Sequence, residues 1–172
     1  MKTAETIPQT LDPAAEPPRL GEYNGFEVYS MPFFATLIAS EPEPLGRWYE
    51  RALGFGVMLA GPLVHLRRRK YQDLLVVRGV AGDEGARAGG PVLRLDADGE
   101  LDELAARARR EPRVGRSSVV GPVDTPWNTR ELTVTDPEGY RFIFSARRTA
   151  ADPTLDAQAR AMFDAGRRKD GP

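Results

Sequence analysis

The sequence predicts an α+β fold built from two βαβββ modules. Two stretches place apolar residues at helical spacing, each follows one strand-like run, and each precedes three more. This order of elements occurs twice along the chain, which indicates an internal repeat. With 172 residues, the chain can form one domain around a single core.

The first module is predicted between residues 33 and 78. Residues 33–40 predict a strand, and Ser40 is expected to cap the helix that follows it. The apolar residues of this helix share one face and are Leu45, Trp48, Tyr49, Ala52 and Leu53. Gly54 is a typical helix end. Three strands are predicted at residues 55–60, 63–69 and 73–78, and residues 79–90 predict a glycine-rich loop.

The second module repeats this plan. Residues 91–96 predict a strand, and Asp98 is expected to cap a helix with the apolar stripe Leu101, Leu104, Ala105 and Ala108. Three strands follow, near 117–123, 128–135 and 140–146. Asp136-Pro137-Glu138-Gly139 predicts a tight turn, because proline cannot donate to a ladder and glycine adopts positive φ.

The composition changes at both ends of these modules. Residues 1–30 are expected to form a flexible N-terminal arm, residues 31–148 the folded domain, and residues 149–172 a C-terminal helix with a charged tail. The apolar stripe of the last helix is expected to cover the sheet or a partner chain, and comprises Leu155, Ala159, Met162 and Phe163.

Composition and charge exclude several classes of function. The net charge of −1, with both signs mixed, argues against a nucleic-acid binder. The sequence has no long apolar run and no signal-peptide pattern, so neither membrane association nor export is expected and a cytoplasmic location is predicted. The absence of cysteine excludes disulfides, thiolate zinc sites and thiol nucleophiles.

Residues 32–147 resemble the vicinal oxygen chelate superfamily, the glyoxalase/bleomycin-resistance fold. The resemblance lies in the order of the elements, in Tyr49-x-x-x-Leu53-Gly54-Phe55 and in the hairpin of residues 125–144. It implies two βαβββ modules that form a curved mixed sheet around a cavity. In this superfamily a second subunit frequently completes the cavity, so a homodimer is expected.

The resemblance also locates the positions that hold a metal ion in metal-dependent members. These positions carry histidine, glutamine or glutamate in such members and fall here on Phe34, Val92 and Ile143, with Leu74 or Leu75 at a further position. None of these side chains can coordinate a divalent cation. The sequence therefore predicts a site without metal or other cofactor.

Strand alternation assigns a set of residues to the cavity face of the predicted sheet. The predicted ligand-binding residues are Phe34, Thr36, Leu75, Val92, Arg94, Trp127, Glu131 and Ile143. Apolar and aromatic walls with a few polar groups are typical of a small-molecule site. Trp127 is expected to stack on an aromatic ligand. The alternative is that Arg94 and Glu131 pair with each other and that Trp127 packs at the rim.

Three functions are compatible with such a cavity. The first is a metal-independent protein that sequesters an aromatic natural product or antibiotic, as the resemblance to metal-free resistance proteins implies. The second is a metal-independent lyase, isomerase or cyclase in which Glu131 is the general base, with its pKa raised by apolar surroundings. The third is a structural or regulatory module that binds no ligand.

The remaining polar features favour structural interpretations. His65 is expected to be a solvated edge residue, with a ligand or catalytic role as the alternative. The basic run 67–70 is expected to form an exposed hairpin whose charges prevent edge pairing, with an anionic partner as the alternative.

Overall fold

The computed structural model describes residues 19–23, 25–29, 33–79 and 90–167. Most of the predicted arm and of the loop 79–90 lies outside these residues. The described chain contains ten strands and three helices. None of its helices combines the length and the apolar character that a membrane span requires.

The predicted repeat of βαβββ modules is confirmed. The first module comprises β3 (Ala35–Ala39), α1 (Pro42–Leu53), β4 (Gly56–Leu59), β5 (Leu63–Arg67) and β6 (Asp73–Arg78). The second comprises β7 (Val92–Asp96), α2 (Leu101–Arg110), β8 (Ser118–Asp124), β9 (Thr129–Thr135) and β10 (Arg141–Arg147).

Each module forms its own four-stranded mixed sheet. The strand orders are β3-β6-β5-β4 and β7-β10-β9-β8, and in each sheet the first strand runs parallel to the last strand of its module. The sheets do not pair with each other within the described chain. The predicted α+β fold class with mixed sheets is therefore confirmed, and each module contributes one of the sheets.

The two sheets share one hydrophobic core. Leu37 of β3 and Phe142 of β10 are fully buried in the same cluster, and α1 packs against α2 within it. The predicted alternation is correct, since Thr36 and Arg94 lie exposed on the other faces of their sheets. Because both sheets direct one face to this core, their outer faces are separate surfaces.

The helix starts differ from the prediction. The N-caps are Glu41 and Glu100, and neither makes a side-chain capping bond. Ser40 instead binds Glu138 through its backbone N–H at 3.0 Å, and Asp98 accepts a bond of 3.2 Å from the N–H of Arg147. Contacts with distant residues therefore replace the local caps. The predicted end of α1 is correct, because Gly54 adopts a left-handed φ of 72°.

A turn of the second module binds the first module. The Tyr140 hydroxyl accepts a bond from the N–H of Ile38 and donates to its carbonyl, both at 3.0 Å. In the same turn, the buried Asp136 carboxylate accepts bonds from the N–H groups of Gly139 and Tyr140 and from the hydroxyl of Tyr49 in α1. The turn 136–140, which connects β9 to β10, therefore binds the second module to β3 and α1 of the first.

The corresponding turn of the first module, residues 68–72, binds the second module. Gln72, at the position equivalent to Tyr140, donates to the carbonyl of Asp96 at 2.9 Å. Arg68 donates to the same carbonyl at 2.8 Å and to Glu100 at 2.6 Å, and its guanidinium lies 5.3 Å from the ring centre of Phe144. The two modules thus hold each other reciprocally.

The interpretation of residues 67–70 as an exposed, edge-protecting hairpin is wrong. The side chain of Arg68 is only 3% exposed. Arg69 pairs with Asp96 and with Glu100, and Arg67 is buried against Asp73. Arg68 and Arg69 connect the modules, because their carboxylate partners Asp96 and Glu100 lie at the start of the second one.

The described part of the arm 1–30 forms a hairpin of β1 (Arg19–Tyr23) and β2 (Phe26–Tyr29), which the sequence did not predict. The hairpin packs on the outer face of the first sheet. A Cβ at Gly56 would lie 2.6 Å from the ring of Phe26, so a larger residue there would displace this ring. Arg67 also donates to the carbonyl of Glu27.

The predicted C-terminal helix is α3 (Pro153–Arg167). Asp152 caps it by accepting bonds from Thr154 and Leu155. Met162 and Phe163, which were expected to be covered, are 59% and 71% exposed in the single chain.

We expect Tyr49→Phe to lower the free energy of unfolding by about 1–3 kcal/mol, because it leaves a buried oxygen of Asp136 without its donor. Burial raises the pKa of the Asp136 carboxyl, although its hydrogen bonds act in the opposite direction. An acid with a raised folded-state pKa contributes stability at low pH that is lost as the pH rises. Since the Tyr49 bond limits this loss, the deficit of the variant should be larger at pH 7 than at pH 4.

Urea unfolding at several pH values measures this difference. The control is Tyr23→Phe, which alters a tyrosine that is 51% exposed and should have little effect. A deficit for Tyr49→Phe that shrinks with rising pH would contradict the prediction.

We expect Arg68→Met to destabilise the protein by about 2 kcal/mol, because the variant removes charge-assisted bonds made by a buried guanidinium. The matched control is Arg47→Met. Arg47 pairs with Glu43 on the surface of α1, where the side chains are 57% and 54% exposed, and its loss should cost less than about 0.5 kcal/mol. Equal losses in urea unfolding would refute a joining role for Arg68.

Candidate functional site

The predicted ligand-binding residues lie on two separate surfaces. Those on the outer face of the first sheet are Phe34, Thr36 and Leu75, and Thr36 pairs directly with Leu75. Those on or beside the outer face of the second sheet are Val92, Arg94, Trp127, Glu131 and Ile143. The sequence assigned these residues to the correct faces, but one chain does not bring the two groups together.

Glu131 is the centre of the second-sheet group. Its Oε1 atom accepts three hydrogen bonds: from the Trp127 indole N–H at 2.9 Å, from Arg94 at 2.8 Å and from the Thr129 hydroxyl at 3.0 Å. Glu131 is only 7% exposed, whereas Trp127 is 50% exposed. A buried carboxylate therefore fixes an exposed aromatic ring and an exposed cation.

The expected raised pKa of Glu131 is wrong. Burial alone would raise the pKa of this carboxyl, but the hydrogen bonds from Trp127, Arg94 and Thr129 outweigh burial and lower the pKa below its ordinary value. Glu131 is thus a stable carboxylate and a weak proton acceptor. The alternative pairing of Arg94 with Glu131 is present in the structure, and it includes Trp127.

The turn that carries Trp127 is itself held in place. Thr125 donates its N–H to the carbonyl of Thr129 at 2.8 Å, and the two hydroxyls are 2.8 Å apart. Asn128 adopts a φ of 65°, a left-handed conformation that asparagine tolerates. Trp127 is therefore held in place both by the hydrogen bond of its indole N–H and by the conformation of its turn.

Trp127 also borders an apolar groove. The groove has a volume of about 190 Å³ and is lined by Pro126, Trp127, Ala159, Met162 and Phe163. The sequence reasoning did not include α3 in the site. The apolar stripe of this helix was the available signal, but its position beside Trp127 depends on the fold.

His65 lies on the outer face of the first sheet and not at a solvated edge, so that interpretation is wrong. Its side chain is 20% exposed and its Nε2 atom is 2.8 Å from Asp73, whose side chain is fully buried. The Phe34 ring contacts the imidazole edge to face, with 5.5 Å between the ring centres. Sequence spacing gave no sign of this pairing.

Comparison with known proteins identifies the architecture. No family model and no curated protein matches the chain. A bleomycin-binding protein in complex with bleomycin superposes with a TM-score of 0.54 at 20% identity, over 67% of this chain and 97% of its own. This chain adopts the vicinal oxygen chelate fold.

Two further structures with this fold illustrate its range. A glyoxalase/bleomycin resistance protein/dioxygenase family enzyme from Burkholderia phytofirmans PsJN has a TM-score of 0.51 at 14% identity, over 66% of this chain and 96% of its own. TnmS3, an antibiotic binding protein from Streptomyces sp. CB03234, has a TM-score of 0.51 at 21% identity, over 66% and 93%. At these identities the likeness establishes the fold.

The positions at which the sequence resemblance places metal ligands carry apolar side chains. Phe34 and Leu75 lie on the first sheet, and Val92 and Ile143 lie on the second. Among the residues that the structure describes, no three His, Cys, Asp or Glu side chains are grouped to hold an ion. Independence from metal remains a prediction from the chemistry of these side chains.

We expect Glu131→Gln to lower the free energy of unfolding by about 1 kcal/mol at pH 7, because a neutral amide replaces a carboxylate with three donors. A carboxyl with a lowered folded-state pKa contributes stability above its unfolded pKa, and this stability is lost as the pH falls through the folded value. The deficit should therefore shrink between pH 5 and pH 3.

Urea unfolding across this range tests the prediction. Glu43→Gln is the control, because the Glu43 side chain is 54% exposed and its loss should cost less than about 0.5 kcal/mol at pH 7. A Glu131→Gln deficit that grows as the pH falls would contradict the assignment.

Proposed function

We propose that this protein binds an aromatic small molecule, a natural product or an antibiotic, and sequesters it unchanged. The observation that carries the proposal is the fixed pair of Trp127 and Arg94, both held by one buried oxygen of Glu131. Trp127 offers a flat ring for stacking, and Arg94, with its side chain 55% exposed, offers a cation at the same surface.

The fixed geometry supports binding in energetic terms. Ordering an exposed side chain on association costs free energy, and this cost falls when the side chain is already held in the free protein. Trp127 and Arg94 are both held before a ligand arrives. The bleomycin complex and the antibiotic binding protein with the same fold agree with such a role.

The alternative of a lyase, isomerase or cyclase has less support. It requires Glu131 to take a proton from the substrate, and a carboxylate with three donors and a lowered pKa is poorly suited to this task. The sequestration proposal requires Glu131 only to remain ionised.

A homodimer belongs to the proposal. The outer faces of the two sheets in one chain are separate, so a cavity lined by both kinds of face needs the first sheet of one copy and the second sheet of another. Exposed apolar side chains on these faces support the pairing, namely Phe34, Leu59, Val92, Val120 and Val123. We further propose that the site works without metal and that the protein is cytoplasmic.

Isothermal titration with bleomycin and with a panel of planar bicyclic and tricyclic aromatics tests the proposal. At least one compound should bind, and mass spectrometry should recover it unchanged after long incubation. Trp127→Leu should weaken binding by about tenfold through loss of stacking. Val114→Ala is the control for an exposed apolar residue away from the site, and it should leave affinity unchanged.

Two results would overturn the proposal. Conversion of the bound compound would favour the enzyme. Failure of the whole panel to bind would favour the module without ligand.

A further inference from the structure

The outer face of the first sheet carries a charged cluster that the proposed function does not use. Asp73 accepts bonds of 2.7 Å from both Nε and Nη2 of Arg67, one on each carboxylate oxygen. His65 Nε2 lies 2.8 Å from Oδ2 of the same carboxylate. The Asp73 side chain is 0% exposed, that of Arg67 8% and that of His65 20%, so the imidazole is the most exposed of the three.

The carboxylate determines which nitrogen of His65 carries a proton. Burial would raise the pKa of Asp73, but the hydrogen bonds from His65 and Arg67 outweigh burial and hold this pKa below its ordinary value. An ionised carboxylate can only accept, so the Nε2 atom of His65 must be the donor. In the neutral imidazole, Nδ1 is then an acceptor, and it makes no hydrogen bond within the described part of the chain.

Asp73 orients His65, and it does not depend on His65 for its own pairing. Arg67 already supplies one donor to each oxygen and balances the charge of Asp73. The hairpin covers this ion pair, because Arg67 also donates to the carbonyl of Glu27 and Phe26 packs on Gly56. The imidazole of His65 therefore contacts an ion pair that has no net charge and that the hairpin covers.

Apolar side chains of both neighbouring strands border the imidazole. Leu75 lies opposite His65 in β6, and Leu59 lies opposite it in β4. Phe34, 39% exposed, contacts the imidazole ring, and Leu59 is 44% exposed. An apolar surface with one acceptor nitrogen suits an aromatic ring that carries a hydroxyl donor.

We propose that the outer face of the first sheet binds a phenol-type ring whose hydroxyl donates a hydrogen bond to Nδ1 of His65. This inference rests on the proposed function, since it names the chemical class of the aromatic ligand. It gives a specific role to the first-sheet wall of the cavity that the proposed homodimer forms, the wall that does not carry Trp127.

The chain has a single histidine, so the imidazole signals in a ¹⁵N NMR spectrum have one origin. The probes are 2-naphthol and its methyl ether, 2-methoxynaphthalene, which lacks the hydroxyl proton. We expect 2-naphthol to shift the Nδ1 resonance of wild-type protein and the ether to leave it in place. Equal shifts with both probes, or none with either, would overturn the inference without any variant.

His65→Gln provides the second measurement. The glutamine amide reaches the position of Nε2 and retains the donor to Asp73, whereas the acceptor at Nδ1 is lost. Because one hydrogen bond distinguishes the two probes, we expect wild-type protein to bind 2-naphthol about fivefold more tightly than the ether. In the variant, the ratio of the two affinities should fall to about one. An unchanged ratio in the variant would refute a role for Nδ1.

A failure of the proposed function would give a different result in the same measurements. Trp127→Leu should weaken binding of both naphthalenes alike and leave their ratio intact, because stacking does not distinguish the hydroxyl from the ether. If Trp127→Leu leaves both affinities unchanged while the ratio depends on His65, the phenol surface stands and the role of Trp127 falls.

Discussion

Hydrogen bonds to two backbone carbonyls, those of Ile38 and Asp96, hold the modules in one arrangement. Each carbonyl belongs to the first strand of one module, and its donor comes from the last turn of the other: Tyr140 in one case, Gln72 with Arg68 in the other. This arrangement directs one face of each sheet into a common core. The outer faces are therefore separate surfaces, and the predicted ligand-binding residues are divided between them.

The two outer faces use the same physical device with different chemistry. On each face a buried carboxylate fixes groups that reach the surface. Glu131 holds Trp127 and Arg94 on the second sheet, and Asp73 holds His65 on the first. A buried carboxylate is stable only when several donors bind it. The same hydrogen bonds therefore hold the exposed donor groups in place.

The order of elements within the two modules and the face of each of their strands could be predicted, because both depend on local periodicity. The helix starts could not, since Ser40 and Asp98 are engaged by residues far along the chain. Arg68 is buried against Glu100, which lies 32 residues away along the chain, and no local sequence pattern extends over that separation. The grouping of the site residues depends on how the modules pack, and the pKa of Glu131 depends on donors that only the fold assembles.

Tyr140 and Gln72 occupy equivalent positions in the two modules, and each binds a carbonyl in the first strand of the other module. The two contacts differ in their chemistry. One places a neutral hydroxyl against Ile38, while the other surrounds Asp96 with an amide and a guanidinium. Two different sets of donors therefore produce the same arrangement of a turn against a strand.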